Sequence, residues 1–347
     1  MSKASHIHQA LDRTNENAFA ISKQMDDTKI VILSDHHRGR RDGADDFLNN
    51  EVTYQKALKY YLEQDYTLLL LGDVEEFWEN PFELVIKKYK EVLALEKQFY
   101  DQGKLLRIWG NHDDIWQVKS YINKYLGSVL PGIDVYESIK LDLLDGEKSL
   151  GKILFVHGHQ GTAASSRFAG ISRFFVRYVW RYIQKWFNIP LSTPANNIRL
   201  KSQHDMIMFD WANKRCEEIL ICGHTHQPVF MSFTHADILK KHLEVVETSL
   251  RNTTTEVEIA ALKTQKEEIL KNLTRIKKEH DATTLEVTNH RKPCYFNSGC
   301  CSFSNGDITG LEIEGGEIRL IKWTMRRKTH RKILEKNNLK SVLAACE

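Results

Sequence analysis

The sequence has few of the features that mark membrane, secreted or disulfide-rich proteins. Its 347 residues contain six prolines and six cysteines, and no two cysteines have CxxC spacing. No run of roughly 18 or more apolar residues exists, so we expect no membrane span. The polar segment Met1 to Lys23 lacks the apolar core of a signal peptide. We therefore expect a protein of the reducing cytoplasm without a disulfide framework.

Neither sign of charge dominates the chain. It has 49 basic and 46 acidic residues, a formal net charge of +3. A surface that tracks a nucleic-acid backbone should be clearly basic, so an extended nucleic acid is a disfavoured substrate. The hydrophobic fraction of 41% is ordinary for a globular protein and can supply a large core.

Apolar strand patterns recur along the chain and predict an α/β fold. In the first half they alternate with helical spacing over 47–63 and 82–100. The strand patterns are Lys29 to Leu33, Thr67 to Leu71, Leu105 to Trp109, Ser138 to Leu144, Lys152 to Val156 and Ile219 to Cys222. A late pair, 307–313 and 317–323, flanks two glycines and predicts a hairpin.

Polar motifs follow several of these strands, where α/β sheets bind their ligands. The residues offered there are Asp35, His37, Asp73, Asn111, His112, His157, His224 and His226. Carboxylate oxygens and imidazole nitrogens are ligands for divalent manganese, iron, zinc or nickel. The sequence therefore predicts a metal site, with two divalent ions and manganese as the leading choice.

Spacing suggests how these residues share the metals. Asp35 and His37 are two residues apart, as are His224 and His226, and on extended backbone such pairs point the same way. Each pair could bind one ion, and Asp73 could bridge two ions through its two carboxylate oxygens. Two ions about 3.5–4 Å apart would clamp a phosphoryl group and lower the pKa of a bridging water, whose hydroxide attacks phosphorus.

The third strand-end motif, which contains Asn111 and His112, suggests a catalytic role. Asn111 offers a neutral oxygen that does not repel a phosphate. The side chain of His112 diverges from that of Asn111, so we interpret His112 as a proton donor or a charge partner for the transition state. Asp113 could orient the imidazole of His112.

Five motifs in order resemble the calcineurin-like metallophosphoesterase superfamily, over roughly residues 29 to 230. They are Asp35-x-His37, Gly72-Asp73, Gly110-Asn111-His112-Asp113, His157 and Gly223-His224-Thr225-His226. The resemblance implies a four-layer αββα β-sandwich with helical insertions. It also implies one metal on Asp35, His37 and His226, another on Asn111, His157 and His224, Asp73 as the bridge, and His112 as the catalytic histidine.

Two segments look most like the UDP-2,3-diacylglucosamine hydrolases. These are Gly72 to Trp78 and Gly223 to Pro228, and they imply hydrolysis of the pyrophosphate in a nucleotide-linked sugar lipid. The first motif departs from that group by continuing as Arg38-Gly39-Arg40-Arg41, and the fourth by reading His157-Gly158-His159. A phosphodiesterase or phosphatase for nucleotides or nucleic acid is the enzymatic alternative. A metal-binding scaffold that works through a helical arm is the non-enzyme alternative.

Four further residues are candidate substrate contacts. Guanidinium groups match phosphate geometry, so Arg38, Arg40 and Arg41 could bind a phosphorylated small molecule or lipid. An equally good interpretation is a solvated surface cluster. His159 follows the ligand candidate His157 by two residues and could touch the substrate or a metal.

Two helical insertions and a tail complete the predicted organisation. A metallophosphoesterase domain over 1–323 would carry a cap at about 165–195 and an αα-hairpin at about 236–285, followed by a basic, partly helical tail over 324–347. The amphipathic 168–191 segment either packs on the core or covers the site as a cap, whose aromatic face would receive an acyl chain or lie on the inner face of a membrane. The hairpin is either a structural arm or a homodimer contact.

Overall fold

The computed structural model describes residues 2–162, 198–215, 217–253, 255–279, 292–325 and 329–346. The cap at about 165–195, with its amphipathic 168–191 segment, lies outside the described residues. Within them no helix combines the length and the apolarity needed to cross a membrane. The described part contains five buried cysteines, which are Cys222, Cys294, Cys300, Cys301 and Cys346.

The described strands form two sheets. Their bounds are β1 Phe19–Gln24, β2 Lys29–Leu33, β3 Thr67–Leu71, β4 Leu105–Ile108, β5 Ser138–Asp145, β6 Lys148–Val156, β7 Glu218–Cys222, β8 Val229–Phe230, β9 Phe233–Thr234, β10 Tyr295–Asn297, β11 Ile308–Glu314, β12 Glu317–Thr324 and β13 His330–Asn338. One sheet has the order β1-β5-β6-β7-β10-β8-β9 and the other β13-β12-β11-β2-β3-β4. Both sheets mix parallel and antiparallel neighbours, and the expected β11–β12 hairpin is present.

The helices are shorter and more broken than the sequence suggests. Their bounds are α1 Lys3–Glu16, α2 Glu51–Glu63, α3 Phe82–Lys88, α4 Lys90–Asp101, α5 Lys119–Tyr121, α6 Ile198–Ala212, α7 His235–Asn252, α8 Glu256–Glu279 and α9 Leu339–Ala344. The single helix predicted over 82–100 is interrupted at Tyr89, whose hydroxyl donates to Asp45 at 2.7 Å. A buried side-chain contact thus overrides a continuous helical pattern.

Alternating side chains of the central strands pack into two cores. Ile30 and Ile32 of β2 join residues of the other sheet, such as Ile153 of β6, in the core between the sheets. Val31 and Leu33 face the opposite way, against residues of α2 and α4. Side chains of α1 and α6 cover the far side of the other sheet. The predicted four-layer αββα sandwich is confirmed.

Helices α7 and α8 form the inserted hairpin. Leu239 and Val246 of α7 are buried against Ile269 of α8. The segment expected as a hairpin over about 236–285 is therefore helical in its described part. Its use as a structural arm or a homodimer contact stays a prediction.

The C-terminal segment belongs to the fold rather than forming a tail. Strand β13 pairs antiparallel with β12, and α9 buries Leu339, Val342 and Leu343 in the core between the sheets. The sequence analysis predicted a basic, partly helical tail over 324–347 and missed this strand. Because β13 lies at a sheet edge and is mostly exposed, it lacks the buried alternation that reveals inner strands.

Candidate metal centre

The candidate ligands lie on tight loops with unusual backbone conformations. Asp35, His37, Asp73, His224 and His226 all have positive φ, between 51° and 69°. Such left-handed conformations cost a non-glycine residue about 1–2 kcal/mol. The extended backbone that the sequence analysis assumed for the paired residues is therefore wrong. Asp35 and His37 still lie in one candidate ligand group, whereas His224 and His226 lie in different groups. Strain of this kind is held where the surrounding structure fixes it, often at functional sites.

The first candidate ligand group contains Asp35, His37 and His226, whose ligand atoms lie within 4.8 Å of one another. The two Nε2 atoms of the histidines are 3.0 Å apart, and Oδ1 of Asp35 is 3.2 Å from Nε2 of His226. Two nitrogen ligands at about 2.1 Å from one ion would be separated by about 3 Å at a right angle. The spacing therefore fits a shared divalent ion.

The second candidate group contains Asp73, His157 and His224. Nδ1 of His157 is 3.0 Å from the carbonyl oxygen of Leu71, so it donates there and leaves the Nε2 lone pair facing Asp73. This is the arrangement that orients metal-binding histidines. Asn111 also fits, because its Oδ1 is buried and has no protein donor among the described residues.

Asp73 lies between the two groups. Its Oδ1 accepts the backbone N–H of His112 at 2.8 Å, while Oδ2 is 3.0 Å from Nε2 of His157 and 3.8 Å from Nε2 of His37. Burial would raise the pKa of Asp73, but the charges of His157 and His112 hold it well below 3.8. An ionised carboxylate within reach of both groups can bridge two cations.

Metal-free, two of the histidines beside Asp73 favour their protonated forms. Burial works against the imidazolium of His37, but Glu76 and Asp73 outweigh it and raise its pKa to about 10. For His157 burial is likewise outweighed, by Asp73 and Asp35, and the pKa rises to about 9. The site is thus electronegative enough to hold cations, whether protons or metal ions.

Glu76 is the functional residue that the sequence analysis missed. Its Oε2 lies 2.5 Å from Nδ1 of His112 and 3.2 Å from Nδ1 of His37. The ring of Trp78 stacks on the other side of His112, with centroids 4.1 Å apart and planes 19° apart. The signal was present in the sequence, because Glu76 follows Asp73 by three residues in the same motif.

The expectation that Asp113 orients the imidazole of His112 is wrong. Its carboxylate instead accepts backbone N–H groups of Gly110 at 2.6 Å and Val74 at 2.8 Å. It therefore ties the loop after β4 to the loop after β3. The reason is geometric, since the loop brings Glu76 beside His112 and turns Asp113 into the interior.

The prediction that Arg38 contacts the substrate is wrong, because Arg38 is a buried structural residue. It is 1% exposed, its Nη2 contacts Glu96, and its Nη1 is 3.8 Å from Glu75. Arg107 contacts the same Glu75 at 2.7 Å. A guanidinium enclosed by these carboxylates is not placed to meet a phosphate.

The other substrate candidates are more exposed than Arg38 or lie closer to the candidate ligands. Arg40 contacts Asp42, and both side chains are partly exposed. Arg41 is also partly exposed, and it contacts the largely buried Glu51. His159 is buried, with its ring 5.4 Å from that of His157, and burial lowers its pKa to about 3. Their role in binding substrate stays a prediction.

Comparison with known proteins identifies the family. The sequence matches the calcineurin-like phosphoesterase family over residues 28–228, and the chain belongs to that family. It is therefore a metallophosphoesterase, a metal-dependent hydrolase of phosphoester bonds. Among solved structures, vacuolar protein sorting 29 from Cryptosporidium parvum matches with a TM-score of 0.35 and 11% identity, over 90% of this chain and 98% of that one. No curated protein matches the sequence.

Proposed function

We propose that the chain hydrolyses a phosphodiester or pyrophosphate bond at a dinuclear divalent metal centre. One ion would be held by Asp35, His37 and His226, and the other by Asn111, His157 and His224. The observation that carries the proposal is the position of Asp73, whose Oδ2 lies within 4 Å of an imidazole nitrogen from each group. Manganese is the leading metal, because mixed nitrogen and oxygen sites accept it.

The protein's own residues would supply orientation and a proton. Two ions bound there would clamp the phosphoryl oxygens and lower the pKa of a water between them. Burial opposes protonation of His112, but Glu76 and Asp73 outweigh it and raise its pKa. We infer that the imidazolium donates its Nε2 proton to the leaving oxygen, while Glu76 and Trp78 fix the ring.

The leading substrate is a nucleotide-linked sugar lipid such as UDP-2,3-diacylglucosamine. Support comes from the sequence Gly72 to Trp78, which contains both Glu76 and Trp78, and from Gly223 to Pro228. Cleavage of its pyrophosphate needs the same in-line displacement at phosphorus as a phosphodiester. A nucleotide phosphodiesterase would use the same metals and the same proton donor.

The test is manganese-dependent hydrolysis of bis-p-nitrophenyl phosphate beside p-nitrophenyl phosphate and UDP-2,3-diacylglucosamine. Asn111→Ala should abolish turnover, whereas Asn123→Ala, at an exposed position, is the matched control. Preference for the diester and the pyrophosphate over the monoester supports the proposal. No turnover of any of the three with any divalent metal contradicts it and favours a scaffold.

A further inference from the structure

Helix α6 contacts the loop that carries His157. Nε2 of His204 lies 2.7 Å from the carbonyl oxygen of Gly158, the residue that follows His157. The imidazole of His204 is 6% exposed and packs edge-on against His224, with ring centroids 5.3 Å apart. Because a carbonyl can only accept, His204 donates from Nε2.

The next residue of α6 contacts the other ligand loop. Oδ1 of Asp205 accepts from the hydroxyl of Thr225 at 3.1 Å and from that of Tyr295 at 2.6 Å. Asn297 closes this buried network, because its Nδ2 donates to the carbonyl oxygen of Gly223 at 2.6 Å and lies 3.2 Å from Oγ1 of Thr225. Thr225 is the residue between the two ligand histidines of that loop.

The helix itself is anchored away from the loops. Trp211 is buried, and its Nε1 donates to Asp12 of α1 at 2.9 Å. His8 of α1 lies 3.1 Å from the carbonyl oxygen of Ile207. A helix fixed on its outer side can therefore hold two loops at a constant separation on its inner side.

We propose that His204 and Asp205 are positioning residues, which hold the loops of His157 and His224 together and so set the affinity for the ion between them. The inference rests on the proposed function. The loop of His224 needs such support because His224 has a φ of +69°, a conformation that a non-glycine residue in a free loop does not favour. Outer contacts of this kind typically change metal affinity by roughly 10–100-fold.

The experiment compares His204→Leu with His204→Gln in the full-length, metal-free protein. Leucine keeps the volume without a donor, whereas glutamine keeps an N–H near the position of Nε2. The readouts are calorimetric titration with Mn²⁺ and the visible spectrum with Co²⁺. The matched control is His8→Ala, which removes a hydrogen bond to the same helix without touching either loop.

We expect His204→Leu to weaken Mn²⁺ binding by roughly 10-fold or more, with glutamine restoring most of the affinity. Asp205→Leu should act in the same direction, and Asp205→Asn, which retains an acceptor, should act less. Unchanged binding in His204→Leu, or equal weakening in His8→Ala, overturns the inference alone. No metal binding by the unsubstituted protein overturns the proposed function as well.

Discussion

The Glu76 carboxylate lies 2.5 Å from Nδ1 of His112, and it favours the protonated form of that imidazole. The pair joins two loops that follow neighbouring strands, β3 and β4. The pKa of Glu76 itself falls to about 2, because His112 and His37 outweigh the effect of burial. The protonated imidazole of His112 and the ionised carboxylate of Glu76 therefore form a pair without net charge.

Glu76→Gln should lower kcat for bis-p-nitrophenyl phosphate by roughly 100-fold or more, the usual contribution of a positioned acid. Since Glu76 raises the pKa of His112, the imidazolium persists to higher pH than that of an ordinary histidine and loses its proton as pH rises through the raised pKa. The variant should move the alkaline limb of the kcat profile to lower pH. The measurement is a pH profile at saturating Mn²⁺, with exposed Glu63→Gln as control. An unshifted limb would count against the pair.

Metal affinity should rise with pH. With pKa values of about 10 for His37 and about 9 for His157, both rings are protonated at neutral pH before metal binds. Metal must displace those protons, so we expect the apparent Kd for Mn²⁺ to fall roughly tenfold or more per unit rise in pH below these values. Calorimetry in buffers of different ionisation enthalpy also measures the proton release. A Kd that is flat with pH contradicts the assignment of these rings as ligands.

Gly72→Ala should damage the metal site more than the fold. An added Cβ would lie 2.6 Å from the ring of His157, and Gly72 has a φ of +82°. Gly132→Ala separates the two effects, because its φ is +83° with nothing within 4 Å. Both variants should lose about 1–2 kcal/mol of stability from backbone strain. Only Gly72→Ala should weaken Mn²⁺ binding, and equal binding by both variants would refute the argument.

Arg38→Met should destabilise the fold strongly. Removing one partner of a buried ion pair leaves an uncompensated charge on Glu96 and costs about 3–5 kcal/mol. Arg40→Met, whose pair with Asp42 is 34% and 37% exposed, should cost less than about 1 kcal/mol. Urea denaturation measures both. Similar unfolding midpoints for the two variants would show that the buried ion pair of Arg38 does not stabilise the fold.

The inner strands were predictable because burial on both faces leaves an unambiguous pattern. Lys29–Leu33 and Thr67–Leu71 were predicted with the bounds that the structure shows. Phe19–Gln24 and His330–Asn338 are largely exposed edge strands without such a pattern, and they were missed. Four of the five ligand loops follow inner strands, and the fifth follows β4, an edge strand whose apolar pattern was also predicted, so the candidate site could be predicted even where the periphery could not.

Side-chain partners across the sequence were harder to predict. Which carboxylate meets His112 depends on how two loops fold against each other, and the sequence analysis considered only the adjacent Asp113. A charge cluster such as Arg38-Gly39-Arg40-Arg41 gives no sign that one member is buried. The partner of Arg38 is Glu96, 58 residues further along the chain.

The pairing of β2 with β11 also affects how the protein is made. Ile32 lies beside Leu311, so the strand that leads to Asp35 has its neighbour on that side almost 280 residues later. At about 5–20 residues per second, a ribosome needs on the order of tens of seconds to synthesise the intervening chain. Throughout that interval one flank of β2 is an open edge, which attracts other strands. Nascent chains interrupted before Glu314 should therefore leave this flank of β2 unpaired and depend on chaperones.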